Sequence, residues 1–322
     1  LLVLAATFCW ATSGTFIKII LQTYGLSAWT LAFWRDLFTF SIFLAITASL
    51  GISESVAQAS SLRTGRLGSL PYSVAQASSL RGGRLRSLPH LFEHLRVERC
   101  DLPRFAAMGA ISIGIFHVLW ALAVMMIPVA VATVLNYTSP AFVVLFAWVL
   151  WRERLNRRQT LALVLAFAGC VLVTGAYRLT DADVNWPGLL VGLSTGLTYG
   201  LFTIIGKPAL KRYDSWTVLT YAFGFATLTL LILQPGAALA MFDMPRGAWL
   251  WILILVLVST VTGFSLYMSG LKHLSASSAS ITATLEPVIA TGFAYALLGE
   301  VIGPVQMLGG VLVIGAVILL TL

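Results

Sequence analysis

Residues 132–159 read ATVLNYTSPAFVVLFAWVLWRERLNRRQ, and residues 279–306 read ASITATLEPVIATGFAYALLGEVIGPVQ. At this one offset of 147 residues, Ala132, Pro140, Phe146, Ala147, Leu150, Glu153 and Gln159 meet Ala279, Pro287, Phe293, Ala294, Leu297, Glu300 and Gln306. Seven identities over 28 positions gain weight because the setting repeats as well. Each copy is an apolar run with a proline in its middle, closed by Glu and followed by another apolar run. The chain reads as a duplicated unit. A fainter echo, at an offset of 189, sets Trp10-Ala11 and Lys18 against Tyr199-Gly200 and Lys207.

Composition places that unit in a membrane. The 322 residues are 59% hydrophobic and 10% charged, with a mean hydropathy of +0.92, whereas soluble domains carry roughly 25% charged residues. Ten apolar spans are expected, near 1–21, 28–50, 104–126, 128–151, 159–177, 186–206, 215–234, 247–269, 276–298 and 303–322, each close to the ~20 residues that cross the hydrocarbon layer. All must be helices, because an open strand edge is unsatisfied in lipid. The expected fold class is an all-α polytopic membrane protein. A chain opening on Leu1 inside an apolar run is expected to lack its initiator Met and a short polar leader. No cleavage site interrupts that run, which argues against a signal peptide.

Ten spans give five per half, and an odd number makes the second half enter the membrane in the opposite sense. Residues 1–177 and 186–322 are thus expected as two inverted five-helix repeats. Arginine and lysine set the orientation, with both termini in the cytoplasm. The connection after the second span carries eight arginines from Arg63 to Arg104. The other inner loops carry Arg152, Arg154, Arg157, Arg158, Lys207, Lys211, Arg212 and Lys272, and the outer loops only Arg178 and Arg246. This is a positive-inside bias, so the net charge of +8 reports orientation and contact with membrane lipids and requires no nucleic acid. Three cysteines, Cys9 and Cys170 within spans, supply no disulfide framework.

One stretch departs from the duplicated plan. Ser55–Pro71 and Ser73–Pro89 are near-identical copies differing at two positions. Residues 53–90 are expected to be a disordered cytoplasmic insertion, because Ser, Gly and Arg offer no packed core.

With ten spans, the paired proline-to-glutamate segments, and the phrases Leu285-Glu286-Pro287 and Leu298-Gly299-Glu300, the chain resembles the EamA-type family of the drug/metabolite transporter superfamily. The likeness covers everything but the insertion. It implies a ten-helix carrier of a bacterial plasma membrane that exports or exchanges a small metabolite such as an amino acid. It also implies a cavity lined by spans one, three, four, six, eight and nine. Internal repeats independently suggest a secondary transporter, since two related bundles can rock about a site between them. Two alternatives share much of the pattern: a lipid flippase of the same fold, and a membrane-embedded transferase acting on a lipid-linked substrate.

Ionisable residues at membrane depth are costly and are the first candidates for function. Glu286 leads them, at the middle of its span and just before Pro287, which cannot donate to the carbonyl of Ala283. It could carry a coupling proton or pair with a cationic group of the cargo; a buried structural acid is the plain alternative. His117 with Trp120 one turn on, and Asn136 four residues before Pro140, could line one wall, though each also suits helix packing. Trp10, Thr12, Ser13, Tyr199 and Tyr267 complete the expected substrate-binding or coupling set. Lys18, Arg35 and Asp36 could form an outer gate, with Arg35 able to attract an anionic group, snorkel to the headgroups or pair with Asp36. Glu153 and Glu300 read as structural acids at span ends. Gly188, Gly192, Gly196 and Gly200 form a stripe that lets a neighbouring backbone approach.

Nothing favours an enzyme. No Gly-Lys-Ser or Gly-Lys-Thr sequence marks a phosphate loop. His90 and His94 lack a partner motif for a metal, and no cofactor is expected. The expected partners are a small-molecule substrate, a proton or exchanged metabolite, and membrane lipids.

Overall fold

The structure is a computed structural model describing residues 1–63, 95–178, 185–242, 244–298 and 301–321. The tandem copies beyond Arg63, together with His90, His94 and Glu300, lie outside the described residues, as does the side chain of Lys18.

Among the described residues the chain is helical throughout. The first crossing is two helices, α1 (Leu2–Ala11) and α2 (Ser13–Tyr24), meeting at Thr12, whose hydroxyl donates to the carbonyl of Cys9 at 2.7 Å. After a turn in which Gly25 takes the left-handed φ of 64°, α3 runs over Ala28–Arg63. Its membrane-length part is Ala28–Leu50, yet the helix continues through 53–63, where the sequence led us to expect a loop. Extending an existing helix costs far less than nucleating one, and Ala57, Gln58, Ala59 and Leu62 are good helix formers.

The third crossing comprises α4 (Leu102–Gly109), a π-helical turn over Ala110–Ile115, and α5 (Phe116–Met126). The fourth is broken into α6 (Val129–Asn136) and α7 (Ser139–Trp151). Pro140 withholds the amide that would bond Asn136, and the Thr138 hydroxyl instead donates to the carbonyl of Leu135 at 2.6 Å. Next come α8 (Arg157–Thr174), opened by a capping box between Asn156 and Gln159, α9 (Trp186–Ala209), α10 (Ser215–Leu233) and the short α11 (Gly236–Leu239). The eighth crossing again contains a π-helical turn, Leu255–Thr262, between α12 (Arg246–Ile254) and α13 (Gly263–Leu271). The chain ends in α14 (Ala276–Ala283), α15 (Glu286–Leu298) and α16 (Pro304–Thr321).

Eight of these crossings, from Leu2–Tyr24 to Arg246–Leu271, are long and apolar enough to cross a membrane, and Pro304–Leu320 is a shorter apolar helix. The segment expected as the ninth crossing is divided between α14 and α15. The starts of α6, α7 and α8, and the end of α6, recur in α14, α15 and α16 displaced by the same 147 residues.

The core is aromatic and aliphatic, built where Trp10, Phe43, Phe105, Met108, Phe202, Phe223, Phe264 and Met268 meet. Large apolar side chains also face outward, among them Trp148, Val149, Val164, Leu190, Ile232, Leu250 and Val311. Such a belt suits hydrocarbon surroundings. The glycine stripe of α9 packs on the broken fourth crossing. A Cβ on Gly192 would stand 2.6 Å from Leu135, and one on Gly196 would stand 2.6 Å from the carbonyl oxygen of Leu135. Between α8 and α16 the backbones touch, with the carbonyl oxygen of Gly169 set 2.8 Å from where a Cβ on Gly309 would lie.

Candidate functional site

The breaks in the helices converge on one cavity of about 190 Å³. Trp10, Ser13 and Gly14 bring the α1–α2 junction to it, Arg35 comes from α3, and Phe116 and Trp120 come from α5. Val129, Thr133, Asn136 and Tyr137 come from the fourth crossing, Tyr199 from α9, Phe264 from α13, and Glu286, Pro287 and Ala290 from the start of α15. Arg35 and Glu286 are its charged lining residues. Glu286 is half-buried. Tyr137 and Arg35 both act on its carboxylate, Arg35 electrostatically from another crossing. Arg35 is buried, with Nε donating to the Thr260 hydroxyl at 2.9 Å.

A layer of rings closes the floor. Trp10 contacts Tyr199, Phe264 and Tyr267 with centroids 5.9, 5.3 and 5.1 Å away, and Phe202 continues the layer against Phe264 at 5.1 Å. Beyond the floor, the polar contacts belong to span ends. Lys207 donates to the carbonyls of Leu271 at 2.6 Å and Leu274 at 2.5 Å, placing a cation at the carbonyl-rich end of α13. Ser277 donates to Glu153 at 3.1 Å. The lining thus runs from mid-crossing to Val129 and Thr133, beside the 126–129 turn, and Lys207 is not part of it.

Of the residues expected from sequence, Trp10, Ser13, Trp120, Asn136, Tyr199, Glu286 and Arg35 meet at this cavity. Four others are not among its lining residues. Thr12 shares a hydrogen bond with Ser259 at 2.9 Å, across to the π-helical turn of the eighth crossing. Tyr267 shares one with Thr203 at 2.7 Å. His117 Nδ1 lies 2.8 Å from Asp36 Oδ1, with both side chains almost wholly inaccessible. Asp36 is therefore engaged with His117, while Arg35 turns to Thr260. Tyr137, Phe116, Phe264 and Thr260 were not anticipated. The Ser259-Thr260 pair inside an otherwise apolar run was the available signal for the last. Tyr137, three residues before Pro140, was marked by that proline.

A second polar cluster lies outside the crossings. Asp101 accepts from Arg104 and Arg212, each at 2.7 Å, and from the Tyr213 hydroxyl at 2.8 Å, while Arg212 also reaches Glu98 at 2.7 Å. The Tyr213 hydrogen bond, with the two guanidinium groups, holds the Asp101 carboxyl below its ordinary range. The cluster ties the segment leading into α4 to the turn between α9 and α10.

The sequence model of the EamA-like transporter family matches residues 88–175 and 186–322. The chain belongs to the EamA-like transporter family. An uncharacterized transporter of Archaeoglobus fulgidus is 30% identical over 193 residues, which is 59% of this chain and 66% of that protein, just under two thirds of its length. A Streptantibioticus cattleyicolor protein, named as a probable terminal-alkyne amino-acid exporter, is 30% identical over 223 residues, covering 68% of this chain and 73% of the relative. One solved crystal structure superposes with a TM-score of 0.65 over 99% of this chain and 94% of its own, at 16% identity, a likeness of fold alone. The family and these relatives are named as transporters, and the chain is an integral membrane protein.

Proposed function

We propose that this chain is a secondary transporter of a small organic metabolite, such as an amino acid or related compound, working by alternating access. The observation that carries this reading is the cavity at the helix breaks, where Glu286 and Arg35 stand at mid-crossing depth among aromatic walls. Charge in that position is expensive unless it meets a cargo or an ion. The reading includes ten membrane passes in two inverted halves, 1–177 and 186–322, with both termini in the cytoplasm of a bacterial cell. The recurrence of three helices at one offset supports the duplication, as do the π-helical turns in the third and eighth crossings. In that orientation the cavity leads outward and the ring layer closes the inner side. Glu286 would take a coupling proton or the cargo's cationic group, and return of the empty carrier would be driven by a gradient or by exchange.

The accessibility arm of the test needs no cargo. With Cys9, Cys100 and Cys170 replaced, single cysteines at Ser13 and Ala290 should react with an impermeant thiol reagent from the outer face, and a fraction should react from the inner face. Labelling from one face under every condition, with no solute flux in proteoliposomes held with or without a pH gradient, would overturn the carrier reading. Lipid scrambling in place of solute flux would overturn it in favour of a flippase.

A further inference from the structure

We infer that the cavity takes a dipolar solute, with its anionic group on Arg35 and its cationic group on Glu286, and that Thr260 is the positioning residue that aims Arg35. This rests on the carrier reading above. Arg35 and Glu286 have opposite signs, come from different crossings, line the same cavity and act on one another electrostatically. They nevertheless form no direct ion pair among the described residues. Two opposite charges held apart in a low-dielectric interior each remain incompletely satisfied, and a solute carrying both signs satisfies both at once. Asp36 acts on Arg35 more strongly than Glu286 does, but it does not take the place of an anion inside the cavity, because it lies outside the lining, wholly buried, with Oδ1 on His117.

The geometry at Thr260 explains how the guanidinium is presented. Its hydroxyl donates to the carbonyl of Leu255, five residues back, at 3.2 Å. That bond follows the wide spacing of the π-helical turn Leu255–Thr262. With the hydrogen committed to the backbone, a lone pair is left to accept from Arg35 Nε at 2.9 Å. Binding through Nε leaves the two terminal amino groups as the fork that matches a carboxylate. The volume of about 190 Å³ lies below the roughly 300–1,000 Å³ of drug-sized pockets, so the solute is small. Trp10, Phe116 and Tyr199 offer its remaining part an apolar wall.

The full chain, purified in detergent, is melted against rising concentrations of L-leucine, L-leucinamide and N-acetyl-L-leucine, which carry both charges, the positive one alone and the negative one alone. Leucine should raise the melting temperature at concentrations roughly tenfold below either derivative, the low end for one lost hydrogen bond to a charged group. Arg35→Gln should erase the preference for leucine over leucinamide. Thr260→Val should weaken leucine binding by about the same factor, and Thr260→Ser should restore it. A merely structural Thr260 would shift the baseline melting temperature and leave the leucine-to-leucinamide ratio unchanged, which would overturn its positioning role. Equal binding of all three probes to the wild-type chain, or binding of none, would overturn the dipolar site even if the variants fail to fold. The cysteine-accessibility test decides the carrier reading separately.

Discussion

Replacing Gly309 by Ala adds one methyl group where α8 and α16 leave no room for it. The new Cβ would stand 2.6 Å from the amide nitrogen of Val173, 2.7 Å from Leu172 Cβ and 2.8 Å from the carbonyl oxygen of Gly169, whereas ordinary contact begins at 3.4 Å. None of these atoms is the far end of a flexible side chain, so the two helices must part by about 0.6–0.8 Å. A gap of that size forfeits a quarter to a half of each dispersion contact along the seam. Within a bilayer, close packing of small residues is a main force between helices, and no hydrophobic term restores what is lost. Overpacking of this kind costs about 1–3 kcal/mol, a factor of about 5 to 150 in the folding equilibrium. Gly315→Ala on the same helix is the control, since nothing lies within 4 Å of its added Cβ. It should be neutral or stabilising by up to about 1 kcal/mol through helix propensity. Thermal melting of both variants in one detergent reads the difference. If Gly309→Ala melts no lower than Gly315→Ala, the seam is not packed as tightly as argued.

Glu286→Gln keeps the shape of the cavity and removes its acid; proton-driven uptake into proteoliposomes should disappear with the melting temperature retained, and unchanged uptake would remove this residue from the mechanism. His117→Phe strands Asp36 in the interior and should lower stability by about 3–5 kcal/mol, while the double variant Asp36→Leu/His117→Phe should recover most of it; a double variant no more stable than the single would refute the pairing. Asp101 is held below its ordinary value of 3.8 by Tyr213, Arg212 and Arg104. Its contribution is therefore fully present above that value and is lost as pH falls through the lower folded value. Asp101→Asn should flatten this part of the acid melting profile, and an unaltered profile would count against the cluster. Excision of residues 53–90 should leave folding and transport largely intact, because the contact of Leu95 with the Tyr221 hydroxyl lies beyond the cut; loss of both would give the insertion a role.

Much of the architecture was legible because the membrane imposes a simple code. Apolar run length gave the eight membrane-length crossings, Pro140 and Pro287 gave two of the breaks, and the 147-residue offset anticipated the recurring helix starts of α6 to α8 and α14 to α16. Cavity residues beside those prolines, Asn136 and Glu286, could be named for the same reason. What escaped depends on which face a helix turns to its neighbours. Arg35 and Asp36 are adjacent in sequence, yet the roughly 100° turn between successive residues of a helix sends one to Thr260 and the other to His117. The π-helical turns were invisible for a related reason. Ala110–Ile115 and Leu255–Thr262 are ordinary apolar sequence, and one added residue per turn leaves no mark in composition.

Those turns bear on how the molecule divides its labour. Every broken or widened helical stretch supplies the cavity or the groups that hold it: the first crossing at Thr12, the third at Phe116, the fourth at Tyr137, the eighth through Thr260 and Phe264, and the α14–α15 pair at Glu286. The unbroken helices α8 and α16 contribute no lining residue and are locked against each other by Gly169 and Gly309. A break frees backbone groups and lowers the cost of bending at that point, whereas a seam without space for a methyl group permits little sliding. Motion should therefore concentrate where the polar residues are, with the α8–α16 pair as the fixed reference. In hydrogen exchange the amides flanking Thr12, Tyr137 and Leu285 should exchange well before those of Ala166 and Val313. Equal protection at both sets would remove the distinction between the moving helices and the fixed pair.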